Sequence, residues 1–277
     1  MSECTHDCST CGADCGERTE DQGIQKTPMN MFSNVHKVIG VVSGKGGVGK
    51  SSVTAMLAAE AKKLGKNVAV LDADITGSSI PKIFGLSERP GATADQMLTP
   101  IRSKSGIKIM STNLLLEDER QPVLWRGPIL GGLIEQFWRD VVWGETDVMF
   151  VDMPPGTGDV PLTVYQQLPI AGIVVVTSPQ SLVEMIVEKA VNMADMMAIP
   201  ILGIVENMSY FTCPDCGNTH SIFGESTVDD LAADLHIANV TKLPIDPALA
   251  EACDKGTVED YDSPEIKELV EIITKEE

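Results

Sequence analysis

Three groups of residues carry the chemistry of this chain. The first is Gly44-Lys45-Gly46-Gly47-Val48-Gly49-Lys50-Ser51-Ser52, which satisfies G-x-x-x-x-G-K-[ST]. Its glycines let backbone N–H groups turn inward around phosphates, Lys50 reaches β- and γ-phosphates, and the Ser51 hydroxyl suits Mg²⁺. The second is a set of aspartates, Asp72, Asp74 and Asp152, each just after an apolar run. Carboxylates at the C-terminal ends of parallel strands face the crevice that a phosphate loop occupies. Asp152 is the candidate to hold Mg²⁺ and Asp74 to orient an attacking water. Asp72 is a candidate for supporting the metal shell, and either aspartate of the Asp72/Asp74 pair is also suited to capping a turn or helix. The third group is sulfur. Cys4, Cys8, Cys11 and Cys15 crowd the first 15 residues, Cys213 and Cys216 form a C-x-x-C pair, and Cys253 stands alone.

The seven cysteines are an odd number, without a basic and apolar leader at the N-terminus. This points to metal or redox chemistry rather than a disulfide framework. Tetrahedral sulfur sites and iron–sulfur clusters take about four thiolates. Cys213 and Cys216 therefore supply half a site, which a symmetric dimer completes on its axis. A C-x-x-C alone leaves zinc-knuckle and redox readings open.

These residues need a scaffold. Lys37–Val42, Asn67–Leu71, Asp147–Val151, Gly172–Thr177 and Ile201–Val205 are apolar runs of strand length. Between and after them, Ser51–Leu64, Ile129–Val142, Leu182–Met197 and Pro264–Lys275 carry helical apolar periodicity. The alternation predicts an α/β fold, a mostly parallel sheet with helices on both faces. Gly65 stands at the expected C-terminal cap of the first helix. Residues 1–23 lack Val, Ile, Leu and aromatic side chains. Residues 1–30 are thus expected to be a mobile, acidic, metal-binding tail, with His6 a further candidate ligand, and residues 31–277 the catalytic domain.

Composition narrows the function. The 277 residues hold 40 acidic and 21 basic side chains, a formal net charge of −19. Nucleic-acid backbones are bound by clustered Lys and Arg, which this chain lacks. The longest uncharged stretch, Val160–Val183, is broken by Gln166, Gln167, Pro169, Ser178, Pro179 and Gln180, so no membrane span is expected. The expectation is a soluble cytoplasmic protein binding neither nucleic acid nor membrane.

The loop GKGGVGKS, with its early lysine, resembles the deviant Walker A of the MinD/ParA/nitrogenase-iron-protein class of P-loop ATPases. GKGGVGKSS (44–52), DADITGSSIP (72–81), WRGP (125–128), VDMPPGTGD (151–159), GIVENMSYFTCPDCG (203–217), IFG (222–224) and LPIDP (243–247) together resemble the Mrp/ApbC iron–sulfur cluster carriers. The resemblance runs from about Val35 to the C-terminus. It implies slow ATP hydrolysis by a homodimer in which Lys45 crosses to the partner's nucleotide. It also implies a 4Fe–4S cluster bridging two subunits through Cys213 and Cys216, with delivery to apoproteins and exchange with cluster-assembly scaffolds. Asn207 and Pro244 are implied to lie near adenine. Ser78 stands where the family pattern has proline, and the glycine run expected after Phe223 is missing. The four-cysteine segment is spaced more tightly than in the eukaryotic cytosolic members, which leaves a second cluster or Zn²⁺ open there. Other members of the ATPase class are spatial regulators or electron donors. A membrane-bound regulator ends in a basic amphipathic helix, whereas this chain's last helix is acidic, and no cysteine near Asp152 matches the electron-transfer pattern.

Overall fold

The structure, a computed structural model, describes residues 26–75, 77–115, 127–180 and 183–275. Cys4, His6, Cys8, Cys11, Cys15 and Trp125 lie outside the described residues. The strands are β1 (Ser33–Ser43), β2 (Val68–Asp72), β3 (Gly91–Ala92), β4 (Leu98–Thr99), β5 (Ile101–Arg102), β6 (Lys108–Met110), β7 (Gly144–Asp152), β8 (Ile170–Thr177), β9 (Ile201–Thr212), β10 (Thr219–His220) and β11 (Val240–Pro244). The helices are α1 (Lys50–Lys63), α2 (Ile80–Ile83), α3 (Gly127–Asp140), α4 (Asp159–Gln167), α5 (Val183–Met196), α6 (Val228–Asp234), α7 (Pro247–Lys255) and α8 (Pro264–Thr274).

One sheet runs β10-β9-β8-β1-β7-β2-β6-β5, with β11 also on β9. All its pairs are parallel except β5 on β6 and β10 on β9. Because helices cover both faces, central strands such as Val68–Asp72 are buried at every position. On one face Phe137, Trp138, Tyr165, Val187 and Val191 pack from α3, α4 and α5. On the other, α1 and α8 contribute Val53, Leu57, Ile266 and Val270. Gly65, at φ +83°, closes α1, its N–H bonding to Lys62 O and the Lys66 N–H to Ala61 O, a Schellman pair. Met193 and Met197 pack against the core while Met196 is exposed. Among the described residues no helix is long and apolar enough to cross a membrane.

Among the described residues, contacts with the domain are already made ahead of residue 31, the Lys26 ammonium donating to Tyr165 O. The Thr27 N–H donates to Gln167 O at 2.8 Å and Trp138 Nε1 to Thr27 O at 2.8 Å. Asn30 Nδ2 bridges the carbonyls of Arg139 and Val141. The last residues assigned to the tail are thus fastened to the ends of α3 and α4.

Candidate functional site

The phosphate loop connects β1 to α1 at the C-terminal edge of the sheet. Gly49 sits at φ +81° immediately before Lys50, the first residue of α1. That left-handed turn lets the loop fold back over the helix N-terminus, where free N–H groups and the helix dipole favour anions. A cleft of about 410 Å³ opens here, lined by Gly46, Gly47, Lys50, Ser51, Ser52 and Asp74 among others.

Asp152, at the end of β7 and without exposure, gathers α1 to the sheet. Its Oδ1 accepts from Lys50 Nζ at 2.7 Å and Thr54 Oγ1 at 2.8 Å, and its Oδ2 from Ser51 Oγ at 2.6 Å. Lys50 Nζ also lies 3.6 Å from Asp74 Oδ2. Burial nevertheless pushes the Asp74 carboxyl above its usual range, outweighing the ammonium beside it. Thr54 escaped the sequence reading, although its place four residues after Lys50 puts both on one helix face. Ser51 and Asp152 present two hard oxygen donors in contact, a donor set suited to Mg²⁺.

Asp72 is placed differently. It pairs in register with Asp152 on β7, yet its Oδ2 accepts from Ser78 Oγ at 2.5 Å and Ser111 Oγ at 3.0 Å. Its Oδ1 accepts the Asp74 N–H at 3.1 Å. Full burial, with the charge of Asp152 second, raises its pKa to about 7. Ser78, the departure from the family pattern, is therefore a hydrogen-bond donor to this carboxylate.

Asn207, on β9, reaches the other side of the loop. Asn207 Nδ2 donates to Val48 O at 3.0 Å, and a Cβ on Gly49 would lie 2.2 Å from that nitrogen. Met208 follows at φ +58°, a left-handed break within β9, its N–H on Asn207 Oδ1 at 3.0 Å. Pro244 pairs with Tyr210, three residues past Asn207. Lys45, the early lysine, rests its ammonium on Gln180 Oε1 of the same chain. Cys253 is half-buried with its sulfur 3.7 Å from Ser52 Oγ, and burial pushes its thiol up.

Past Asn207, β9 continues to the thiol pair. Thr212 pairs with Thr219, the Cys213 N–H donates to Asn218 O at 2.9 Å, and the Gly217 N–H returns to Cys213 O at 2.9 Å. In this tight knuckle the backbone N–H groups of Cys216 and Asp215 donate to the Cys213 sulfur and hold its thiol below the ordinary range. Donors aimed at sulfur suit a thiolate ligand. Cys216 and His220 are exposed. Among the described residues no three His, Cys, Asp or Glu side chains gather as a metal-holding group, so one chain offers the described cysteine knuckle as a two-thiol set.

The family model for ParA, NUBPL iron-transfer P-loop NTPases, matches residues 34–276. The chain belongs to that family. It is 44% identical to an iron-sulfur cluster carrier protein of Methanocaldococcus jannaschii over 92% of this chain and 90% of that protein. A carrier protein of the same description from Clostridium perfringens is 41% identical over 92% and 94%. Among solved structures, a nucleotide-binding protein of Archaeoglobus fulgidus in complex with ADP is similar at TM-score 0.75 and 44% identity, over 83% of this chain and 90% of that one. The Pyrococcus furiosus cell division ATPase MinD is similar at TM-score 0.61 and 18% identity, over 86% and 96%, which is likeness of fold. Membership in this family makes the chain a P-loop NTPase.

Proposed function

We propose that this chain is an ATP-hydrolysing carrier that holds an iron–sulfur cluster as cargo at Cys213 and Cys216 and delivers it to apoproteins in the cytoplasm. The observation that carries the reading is the path of β9. It touches the phosphate loop through Asn207 and leads to the thiol pair six residues on. Occupancy of the cleft and of the cysteine knuckle thus bear on one continuous element.

In this reading Lys50 moves from Asp152 to the β/γ-phosphates when nucleotide enters. Ser51 and Asp152 hold Mg²⁺, which neutralises phosphate charge, and Asp72 supports them from behind through the shared β2–β7 register. Asp74 orients the attacking water. Gly44, Gly46, Gly47, Val48, Gly49 and Ser52 wrap the phosphates, and Asn207 and Pro244 border the base. Two copies face each other, so that Lys45 leaves Gln180 for the partner's nucleotide and two cysteine pairs complete a four-thiolate site for a 4Fe–4S cargo. Cys4, Cys8, Cys11 and Cys15 hold a second cluster or Zn²⁺. Recipients are apoproteins of cluster enzymes, with assembly scaffolds as donors; hydrolysis is slow because it times release.

Anaerobic reconstitution of the full chain with iron and sulfide tests this. Wild-type protein should absorb near 400 nm, and Cys213→Ala/Cys216→Ala should bind about four fewer irons per dimer, on four-thiolate ligation, with unchanged ATP affinity. A double variant that keeps its full iron content overturns the assignment.

A further inference from the structure

The loop between β2 and α2 has two sides. One side faces the nucleotide cleft, which Asp74, Gly77 and Ser79 line. There the Gly77 N–H donates to Asp74 O at 3.1 Å and to Asp74 Oδ1 at 3.3 Å, closing a turn around the carboxylate. A Cβ on Gly77 would meet that carboxylate at 3.3 Å, so the turn is tight. On the other side, Ser78, set between the two cleft-lining residues, points into the protein.

Three partners fasten Ser78. Its hydroxyl lies 2.5 Å from Asp72 Oδ2 and 2.7 Å from Ser111 Oγ, and Asn113 Nδ2 donates to its carbonyl at 3.2 Å. Ser111 also donates to Asp72 Oδ2 at 3.0 Å and is itself without exposure. Asp72 is rigidly placed: it ends a fully buried strand and pairs in register with Asp152. Asp72 is fully buried, so removing a hydroxyl from it leaves a polar group short of a partner in the interior, which costs more than the bond itself contributes. Without the Ser78 hydroxyl the start of the loop stays tied to the sheet by the Ala73 N–H on Asp152 O at 2.9 Å and the Asp74 N–H on Asp72 Oδ1 at 3.1 Å, while past Gly77 the Asn113 contact to the Ser78 carbonyl remains and the side-chain tie to Asp72 is gone.

We propose that Ser78 is a positioning residue for hydrolysis: its hydroxyl, shared with Ser111 and Asp72, fixes the loop that aims Asp74 at the reacting phosphate. The inference rests on the reading of Asp74 as the residue that orients the attacking water. Nucleotide is gripped by the loop before α1, so losing the Ser78 bond disturbs the approach of water and leaves nucleotide affinity in place.

The test uses the full chain with Ser78→Ala, Ser78→Thr and Ser111→Ala, measuring steady-state ATP hydrolysis and backbone hydrogen exchange of residues 73–80. Ser78→Ala should lower kcat about tenfold or more, the range expected when a buried polar group loses a hydrogen-bond partner. KM for ATP should stay within about twofold while amide exchange at Gly77–Ser79 rises. Ser78→Thr, which keeps the hydroxyl, should recover most of the rate and the protection. Ser111→Ala should give a smaller loss, and adding it to Ser78→Ala should cost less than the two losses combined. Three results overturn the proposal: wild-type kcat and exchange in Ser78→Ala, a Ser78→Thr as impaired as Ser78→Ala, or a change confined to KM. Absence of hydrolysis in the wild-type protein overturns the reading of Asp74 instead, and the exchange data then still report whether Ser78 fastens the loop.

Discussion

Lys50 Nζ lies 2.7 Å from Asp152 Oδ1, with both side chains buried, so the lysine proposed to meet phosphate is the counter-ion of the aspartate at the end of β7. Removing one member of a buried pair leaves an uncompensated charge, at about 3 kcal/mol or more. Lys50→Ala should therefore lower the melting temperature by roughly 10 °C for a domain of this size. Adding Asp152→Asn to Lys50→Ala should restore part of that loss, because the orphaned charge is gone. Calorimetry of the three variants measures it. A double variant whose loss equals the sum of the two singles rules out the ion pair as the cause.

The phosphate loop also rests on a side-chain amide. Gly49 takes φ +81°, and a Cβ there would lie 2.2 Å from Asn207 Nδ2. Gly49→Ala carries the strain of a left-handed non-glycine residue, about 1–3 kcal/mol, and drives Asn207 off Val48 O. Nothing lies within 4 Å of a Cβ on Gly46. Gly49→Ala should melt several degrees lower than Gly46→Ala and bind ADP more weakly, because the Asn207 contact that shapes the loop is displaced. Equal melting temperatures for the two variants would remove the Asn207 contact from the account.

Much of this was legible in the residues. Buried parallel strands such as Val68–Asp72 are uninterrupted apolar runs, and the phosphate loop is contiguous, so its strand–loop–helix setting could be read directly. α4 went unread because it is nine residues long, holds Pro161 in its first turn and ends on Gln166 and Gln167. α6, α7 and β11 are too short for periodicity to stand out. The serines around Asp72 were hidden for another reason. Ser111 is 39 positions away and reaches Asp72 only because β6 pairs with β2, a tertiary fact with no local signature. The same holds for Gln180 beneath Lys45, 135 positions apart.

Asp72 gives the domain an unusual response to pH. Its pKa rises from the ordinary 3.8 to about 7, chiefly through burial and then through the charge of Asp152. Between those values the folded chain holds a proton that the unfolded chain has released, so this group withdraws stability as pH rises from about 4 to about 7. Asp74, also raised, acts in the same direction. Asp72→Asn removes the larger effect. The melting temperature of Asp72→Asn relative to wild type should climb steadily across that window and level off above it. A constant difference across the window would show that Asp72 is already ionised in the folded protein.

The cysteines should separate by reactivity. Backbone N–H groups of Cys216 and Asp215 hold the Cys213 thiol low, whereas burial pushes the half-buried Cys253 up beside Ser52. Alkylation proceeds through the thiolate, so rate follows ionisation and access. In metal-free protein near neutral pH, iodoacetamide should modify Cys213 faster than Cys253, since the lowered thiol is more ionised and the raised one less so. The rate at Cys213 should reach half its plateau below the ordinary thiol value. Peptide mass spectrometry over time resolves the two sites. Making the knuckle less able to donate, by Asp215→Pro, removes one N–H aimed at the sulfur and should move that midpoint upward. A midpoint unchanged by Asp215→Pro, or a Cys253 that labels as fast as Cys213, would show that the knuckle does not prepare a thiolate.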